Sequence, residues 1–349
     1  MGDEVWLFDR DRQLIAVMPE YDGLVCTLRM VEHSDFDGRF PIDTLASWQA
    51  AHFVQVSGDD ELYLVERVSD TPQGVVAKGR SATAMLGRRA MSGVHYWSSY
   101  KMPAFVDSAL SWLTSEGRGI EGLVMGEGST LGEYEPFSFV PTGPLDTALI
   151  AGLGADGTLG WRARLDPSGN VALDFYTLAT SATLVGERYG NGSLVLSVTD
   201  ATALANFAYV EGEPDASGNR IIVEVDDSSG NERREVYLKL TDQRTTDSGE
   251  LTEEQYTSVL TARGTEELAR RATYERVDAE ATAALSPGDL VWYDSGRWTT
   301  QLAVTEAVVT RQRGATTVRV RLAVPGAQRR GSGGGVGIMP LPGHGDIWF

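Results

Sequence analysis

Cysteine is almost absent from this sequence, in which Cys26 is the single one among 349 residues. One cysteine cannot form an internal disulfide or a zinc site built from several thiolates. The four histidines are scattered along the chain, and no His-x-x-x-His or Cys-x-x-Cys motif occurs. The sequence therefore predicts a fold without disulfides, a metal or a cofactor.

Long apolar runs and basic residues are also scarce. Nothing approaches the roughly 18 consecutive apolar residues of a membrane-spanning helix, and the acidic start at Asp3 and Glu4 predicts no signal peptide. Lysine and arginine number 30 against 49 aspartates and glutamates, which gives a net charge of −19. Such a chain is not expected to hold nucleic acid by neutralising its phosphates. Its apolar content of 42% is that of an ordinary folded protein of two or three domains.

Catalytic motifs are missing as well. No Gly-x-Ser-x-Gly nucleophile motif occurs, and residues 126–132 have a spacing one residue too long for a dinucleotide-binding loop. Asp59 with Asp60, or Glu133 with Glu135, could act as glycosidase acids, yet so acidic a composition places such pairs on any solvated surface. We therefore expect no catalytic residues and a structural or binding role.

Strand patterns fill both ends of the chain. Short β-rich runs separated by turn residues within 5–84 predict a small barrel or sandwich, and β-prone runs return after Gly190. Residues 62–84 and 297–323 share one order: a strand, a glycine turn, and a strand of alternating apolar and basic or small residues. This likeness is either an internal repeat of one β module or a chance similarity between hairpins.

The middle of the chain has helical patterns. Apolar residues at 105, 106, 109, 110 and 113 fall on one helical face, with Pro103 in the first turn and Gly117 as the stop. A second helix is predicted to begin near Pro144 and to end at Gly152 or Gly154. A hairpin pattern follows at 161–176.

A further helical pattern interrupts the C-terminal strands at 251–274. Thr252 and Gln255 have the spacing of a capping box. Thr265, directly after Gly264, predicts a second helix start inside this pattern.

These patterns divide the chain into four segments. We predict a first β-barrel domain at 1–92, an α+β domain at 93–188, a second β-barrel domain at 189–328 with a helical insert at about 250–275, and a Gly-rich tail at 329–349. The predicted fold class is α+β and β-rich, with two small β-barrels flanking an α+β domain.

The tail joins a flexible glycine-rich stretch to an apolar end at Ile347, Trp348 and Phe349. One interpretation is a disordered tail. The other is a docking peptide whose aromatic anchors insert into a pocket of a partner.

A series of motifs follows one order along the chain: Val5-Trp-Leu-Phe-Asp9, Tyr63-Leu-Val-Glu-Arg67, Lys78-Gly-Arg80, the helix near 105–113, Leu159-Gly-Trp-Arg-Ala-Arg-Leu-Asp166, Val171-Ala-Leu-Asp-Phe-Tyr176, Glu187-Arg-Tyr-Gly-Asn191 and Asn206-Phe-Ala-Tyr-Val-Glu-Gly212. In this order they resemble the minor tail proteins that form the tail-tip baseplate hub of siphophages, also called tail-associated proteins. The resemblance covers about residues 5–325. The chain departs from the family at His33-Ser34, where a glycine is usual, and at 177–180.

The resemblance implies a structural hub without catalysis, which assembles as a homotrimer, closes the hexameric tail tube and forms the channel for DNA ejection. Two similar barrels in each of three chains would present six quasi-equivalent surfaces to a six-fold tube. The implied partners are the distal tail protein or tail tube ring, the tape measure protein, and a tail fibre or receptor-binding protein. DNA would only pass through, and the implied location is the virion tail tip after assembly in the host cytoplasm.

Alternatives stay open at this point. The acidic charge could line the channel and repel DNA, or it could serve solubility alone. The protein could also be another tail-tip component, such as the distal tail or receptor-binding protein, or a β-rich cell-wall hydrolase.

Overall fold

The computed structural model describes residues 4–90, 95–132, 135–139, 144–186, 194–200, 205–214, 217–228, 232–239, 245–246, 249–271, 274–281, 285–294, 299–312 and 315–323. This part of the chain is mostly strand, gathered into several sheets with few helices. The predicted β-rich α+β class is therefore confirmed. Among these residues no helix is both long and apolar enough to cross a bilayer.

Residues 4–90 contain β1 (Val5–Phe8), β2 (Leu14–Met18), β3 (Gly23–Arg29), β4 (Asp35–Phe40), α1 (Leu45–Ala50), β5 (Phe53–Val56), β6 (Leu62–Leu64), β7 (Arg67–Thr71) and β8 (Gly74–Arg80), with short 3-10 helices at Ile42–Thr44 and Ala82–Arg88. Residues 95–177 contain β9 (His95–Tyr100), α2 (Met102–Ser115), β10 (Leu123–Met125), β11 (Glu135–Phe139), α3 (Leu145–Asp156), β12 (Leu159–Leu165) and β13 (Val171–Thr177). Residues 179–323 contain β14 (Ala179–Gly186), β15 (Leu194–Asp200), β16 (Phe207–Glu211), β17 (Ile222–Asp226), β18 (Glu235–Lys239), β19 (Thr245–Thr246), β20 (Gly249–Glu250), α4 (Glu253–Arg271), β21 (Tyr274–Ala281), β22 (Asp289–Asp294), β23 (Thr299–Gln312) and β24 (Ala315–Ala323).

The N-terminal strands form two layers around one core. Strands β2, β1, β5 and β6 make one sheet, and their apolar side chains pack on the inward residues of β3, β4 and β8. Alternation decides which residues face inward, because successive side chains of a strand point to opposite faces. Cys26 is fully buried in β3, as expected for a small residue in a strand-like run.

The middle unit packs α2 and α3 against the sheet β10-β13-β12. Helix α2 has a proline in its first turn, and Gly117 follows it with φ +70°, so this helix and its stop are confirmed. Helix α3 runs past Gly152 and Gly154, contrary to the prediction. It ends at Gly157 (φ +66°), whose N–H donates to the Leu153 carbonyl, and this capped end keeps Leu153 in the core.

A small α/β unit at 205–271 packs α4 across the sheet β17-β16-β18. The capping box is confirmed, since the Thr252 N–H donates to Gln255 Oε1 (3.0 Å) and the Gln255 N–H to Thr252 Oγ1 (3.3 Å). The second helix start at Thr265 is wrong, because α4 continues through Gly264. A Cβ at Gly264 would lie 2.7 Å from Val210 and Val225, so glycine lets the helix approach the sheet.

The two β-rich ends of the chain share one continuous sheet. Strand β3 pairs antiparallel with β23, with Cys26 opposite Val309. The sheet runs β7-β8-β4-β3-β23-β24-β21-β15, and β22 and β14 extend it from β23. The pairings β3–β23 and β14–β22 both join segments that the predicted boundaries at 92 and 188 separate, and those boundaries stay predictions.

This sheet consists of two groups with the same topology. In chain order the first group is β3, β4, β7, β8, and in space it runs β7-β8-β4-β3. The second is β15, β21, β23, β24 in the chain and β23-β24-β21-β15 in space. Exchanging β3 for β15, β4 for β21, β7 for β23 and β8 for β24 converts one group into the other. The shared order favours the internal repeat over a chance likeness of hairpins.

Gly79 lies against the Leu64 backbone of the opposite layer of the N-terminal module. A Cβ built on Gly79 would overlap the Leu64 carbonyl oxygen, whereas one on Gly23 meets only Gln312 Cγ at 3.9 Å. We expect Gly79→Ala to lower the free energy of unfolding by about 1–3 kcal/mol, since the layers must separate, and Gly23→Ala to change it by at most about 0.5 kcal/mol. Urea unfolding of both variants checks this, and equal midpoints would contradict it.

Candidate functional site

The face of the continuous sheet that points away from the cores is lined by charged residues; we call it the polar face. In the first group, Asp37 lies opposite Lys78 and Asp35 opposite Arg80. In the second group, Glu280 is the register partner of Arg319, and Asp278 that of Arg321. Counted from the hairpin turns, Lys78 and Arg319 occupy equivalent positions. The repeat thus extends to the register that sets acidic residues opposite basic residues on neighbouring strands.

Ion pairs cross the seam between the two groups. Arg29 on β3 places Nη1 2.5 Å from Asp35 Oδ2 and Nε 3.0 Å from Glu306 Oε2. Glu306 on β23 also lies 3.3 Å from Arg321 Nη1 through its Oε1. Because Glu306 forms an ion pair with a residue of each group, its carboxylate joins the groups on the polar face.

Further ion pairs lie toward the β7 edge. Lys78 Nζ pairs with Asp37 Oδ2. Arg80 binds Glu66 in bidentate fashion, with Nη2 2.7 Å from Oε1 and Nε 3.0 Å from Oε2. Both pairs are exposed, so they contribute little to stability.

Among the described side chains of this face, basic residues outnumber acids. Its described basic side chains are Arg29, Arg39, Arg67, Lys78, Arg80, Arg319 and Arg321, and its described acids are Asp35, Asp37, Glu66 and Glu306. The described side chains of this face therefore do not carry the acidic excess of the whole chain, and an acid-lined channel stays a prediction.

Behind the sheet, a cavity of about 550 Å³ lies where the N-terminal module, the middle unit and the C-terminal strands meet. Arg311 of β23 points to this side, because it is the register partner of the buried Leu24. Its Nη2 lies 2.5 Å from Asp59 Oδ1, and both side chains are more than nine-tenths buried. A buried guanidinium needs such a partner, since an unpaired buried charge is costly.

Asp59 and Asp60 are neighbours in the chain but lie in different environments. Asp60 is 79% exposed and pairs with Arg162 at 2.9 Å, as expected of a solvated residue. The same expectation is wrong for Asp59, because strand β23 brings Arg311 over it. Glu133 and the side chain of Glu135 lie outside the described residues.

Glu61 is a second buried carboxylate beside the cavity. Its Oε1 accepts from Ser81 Oγ (2.6 Å) and from the Ala163 backbone N–H (3.0 Å), and its Oε2 accepts from Ser34 Oγ (3.3 Å). Burial raises the pKa of Glu61 to about 7, against the hydrogen bonds, which lower it. Glu61 thereby links the N-terminal module to β12 of the middle unit.

His33 extends this network to α3. Its Nδ1 lies 2.8 Å from Thr83 Oγ1, its Nε2 lies 3.0 Å from Asp146 Oδ2, and its ring stacks on Trp161. Thr83 Oγ1 donates to Ser81 Oγ (2.9 Å), which in turn donates to Glu61. A continuous polar chain therefore runs from Glu61 to Asp146 and holds the middle unit on the N-terminal module.

The buried acids of this region are already engaged by protein groups. Both oxygens of Glu61 accept hydrogen bonds from protein groups, and Asp59 is held by Arg311. The described side chains include no group of three that could hold a metal ion. Sequence reasoning missed Glu61 and Arg311, because nothing in the local pattern distinguishes them from exposed neighbours. Residues 347–349, the predicted docking peptide, lie outside the described part of the chain.

Comparison with solved structures finds phage tail proteins. The prophage tail protein gp18 from Listeria monocytogenes EGD-e matches with a TM-score of 0.54 and 12% identity, over 92% of this chain and 94% of that one. A tail protein from Neisseria meningitidis MC58 matches with a TM-score of 0.57 and 11% identity, over 95% and 99%. The chain has the fold of phage tail proteins.

A third match supports the same conclusion. The 43 kDa tail protein of prophage MuSo2 from Shewanella oneidensis has a TM-score of 0.54 and 13% identity, over 93% of this chain and 99% of that one. No protein-family model and no curated protein matches the sequence. At such identities the likeness is one of fold, and it confirms the resemblance to phage tail proteins at that level.

Glu61 predicts a pH dependence of stability. Its pKa is raised on folding, so the folded state binds the proton more tightly, and ionisation destabilises the fold as pH rises from about 4.5 to about 7. We expect Glu61→Gln and wild type to have the same free energy of unfolding near pH 4.5. Above pH 7 the variant should be more stable than wild type by on the order of 1–3 kcal/mol.

Urea unfolding across this pH range measures the effect. The exposed Glu121→Gln serves as the matched control and should follow wild type throughout. Parallel stability curves for wild type and Glu61→Gln would show that Glu61 does not titrate in this range.

The buried pair predicts a non-additive result. Asp59→Ala should lower the free energy of unfolding by about 3–5 kcal/mol, because Arg311 loses its buried partner. Asp59→Ala with Arg311→Met should recover part of this loss, since no buried charge remains. Chemical denaturation of the single and double variants tests this, and strictly additive losses would argue against a coupled pair.

Proposed function

We propose that this protein is the structural hub of a phage tail tip, a homotrimeric ring that closes the hexameric tail tube and leaves a channel for DNA. The observation that carries the proposal is the pair of equivalent strand groups joined edge to edge within one chain. The fold that the chain shares with phage tail proteins supports a role in a phage tail.

The strand pairing that joins the two groups within the chain suggests how copies of the chain join each other. Within the chain, β3 of the first group pairs with β23 of the second. By the repeat, β15 is equivalent to β3, and β7 is equivalent to β23. Strands β15 and β7 are also the two ends of the described sheet path, and open sheet edges favour pairing with another chain. Pairing β15 of one copy with β7 of the next would therefore repeat a contact that the chain already makes.

Such a contact is heterologous, and it closes into a ring when the rotation between copies fits. Three copies supply six strand groups, which match a six-fold tube. With eight strands per copy along the path, the ring contains 3 × 8 = 24 strands. At about 4.8 Å between strands, its backbone would span roughly 37 Å before tilt is included. Barrels of about 16–18 strands already leave an aqueous channel.

The polar face would then line the channel, because the opposite face is covered by the cores. In this arrangement the modules at 1–92 and 189–328 form the ring, and the module at 93–188 packs behind it. The distal tail protein or tube ring, the tape measure protein, and a tail fibre or receptor-binding protein are the proposed partners. The tail with Ile347, Trp348 and Phe349 is the proposed docking segment, at the tail tip of a virion assembled in the host cytoplasm.

Disulfide crosslinking tests the ring. Thr27 pairs with Val308 inside the chain. Leu196 is equivalent to Thr27, because the two pair with the equivalent residues Asp278 and Asp35. Arg67 is equivalent to Val308, counted from the hairpin turns. Leu196→Cys with Arg67→Cys in one chain should therefore form disulfides between copies, since opposed antiparallel residues lie within disulfide reach.

We expect covalent dimers and trimers on oxidation and no larger species, and a native mass three times that of the chain at high protein concentration. Cys26 is fully buried and does not compete. The control pairs Leu196→Cys with Asp107→Cys on the exposed side of α2 and should stay uncrosslinked. A hexamer would favour the distal tail protein instead, and a persistent monomer without crosslinks would refute the ring.

A cell-wall hydrolase is the second candidate, favoured by one observation: Glu61, with its pKa near 7, borders the cavity. The proposed hub predicts no release of peptidoglycan fragments by wild type or by Glu61→Gln. Activity that disappears in Glu61→Gln would establish the enzyme.

A further inference from the structure

The polar face poses an electrostatic problem if DNA passes over it. Its described side chains include more basic than acidic residues, although the whole chain carries a charge of −19. A duplex attracts basic groups, because binding them releases its condensed counterions. An uncompensated face of this kind would hold the DNA that it is meant to release.

The carboxylates of the face are placed against these cations. Arg29 lies between Asp35 and Glu306, at 2.5 and 3.0 Å. Lys78 pairs with Asp37. Arg321 shares Glu306 at 3.3 Å, so each described acid of the face engages at least one of its basic residues.

We propose that these ion pairs let duplex DNA slide over the polar face without adhering, by occupying the cations that would otherwise bind phosphates. The inference rests on the proposed function, which turns this face toward the DNA. A phosphate reaching Arg29 must displace a carboxylate held on a neighbouring strand, so the contact gains little. A face with both signs would also avoid the repulsion that an acid-lined channel would exert on incoming DNA.

The repeat distributes this pattern around the ring. Asp35 and Asp37 on β4 correspond to Asp278 and Glu280 on β21, which are the register partners of two arginines on β24. The same acid–base rows would therefore recur in each of the six groups, and passing DNA would meet no continuous basic track.

Removing the acids tests the proposal directly. The face variant carries Asp35→Asn, Asp37→Asn and Glu306→Gln. The control carries Glu20→Gln, Asp107→Asn and Glu121→Gln, three exposed acids away from the face, so both variants gain the same net charge. The probe is a short fluorescent DNA duplex of mixed sequence, and the readout is anisotropy across about 50–200 mM salt.

We expect wild type and control to bind the duplex weakly and alike. The face variant should bind about tenfold more tightly at the lowest salt, with a slope of log affinity against log salt steeper by up to about 2.7. Equal binding by the face and control variants would overturn the proposal. If the face variant loses its fold by circular dichroism, Asp37→Asn against Asp107→Asn decides, because the Lys78–Asp37 pair is exposed.

The native mass of the same samples separates this inference from the proposed function. If the face variant binds DNA more tightly but the chain stays monomeric, the ring is refuted and the role of the acids in occupying the cations is supported. If the chain is a trimer but the face and control variants bind DNA equally, the ring is supported and that role of the acids is refuted.

Discussion

Backbone pairing between β3 and β23 is the contact on which the rest of the structure depends. It joins two segments from opposite ends of the chain, with Cys26 opposite Val309, and makes one sheet out of two strand groups. That pairing decides which face of β23 is buried. Arg311 is turned inward as a consequence, and Asp59 must meet it there. The charged residues on the outer face of β23 are fixed by the same register.

Hydrophobic burial and polar contacts have different tasks here. The clusters around Trp48, Trp161 and Tyr256 bury large side chains completely and supply the main driving force for folding. The buried pair and the network around Glu61 add little net stability, because desolvation offsets most of their attraction. Their partners come from separate segments of the chain, so they are satisfied in one relative arrangement of the modules. These polar contacts therefore fix the relative orientation of the modules more than they add to stability.

Local structure could be predicted from the sequence, and long-range structure could not. The helix near 105–113, the hairpin at 161–176 and the capping box at Thr252 follow from periodicity and capping chemistry within a few residues, and all three are present. The missed end of α3 and the false helix start at Thr265 show where tertiary packing overrides glycine signals. The burial of Asp59 and Glu61 could not be predicted from the local sequence, because it depends on strands that lie far away in the chain.

The α/β unit at 205–271 joins the sheet between β15 and β21, where Asp200 and Tyr274 are register partners. The equivalent connection in the first group is only the short turn between Arg29 and Asp35. Both ends of the unit therefore meet at a single point of the sheet, where its removal would leave two adjacent strand ends. A unit attached in this way can change in length without altering the register of the two strands that flank it.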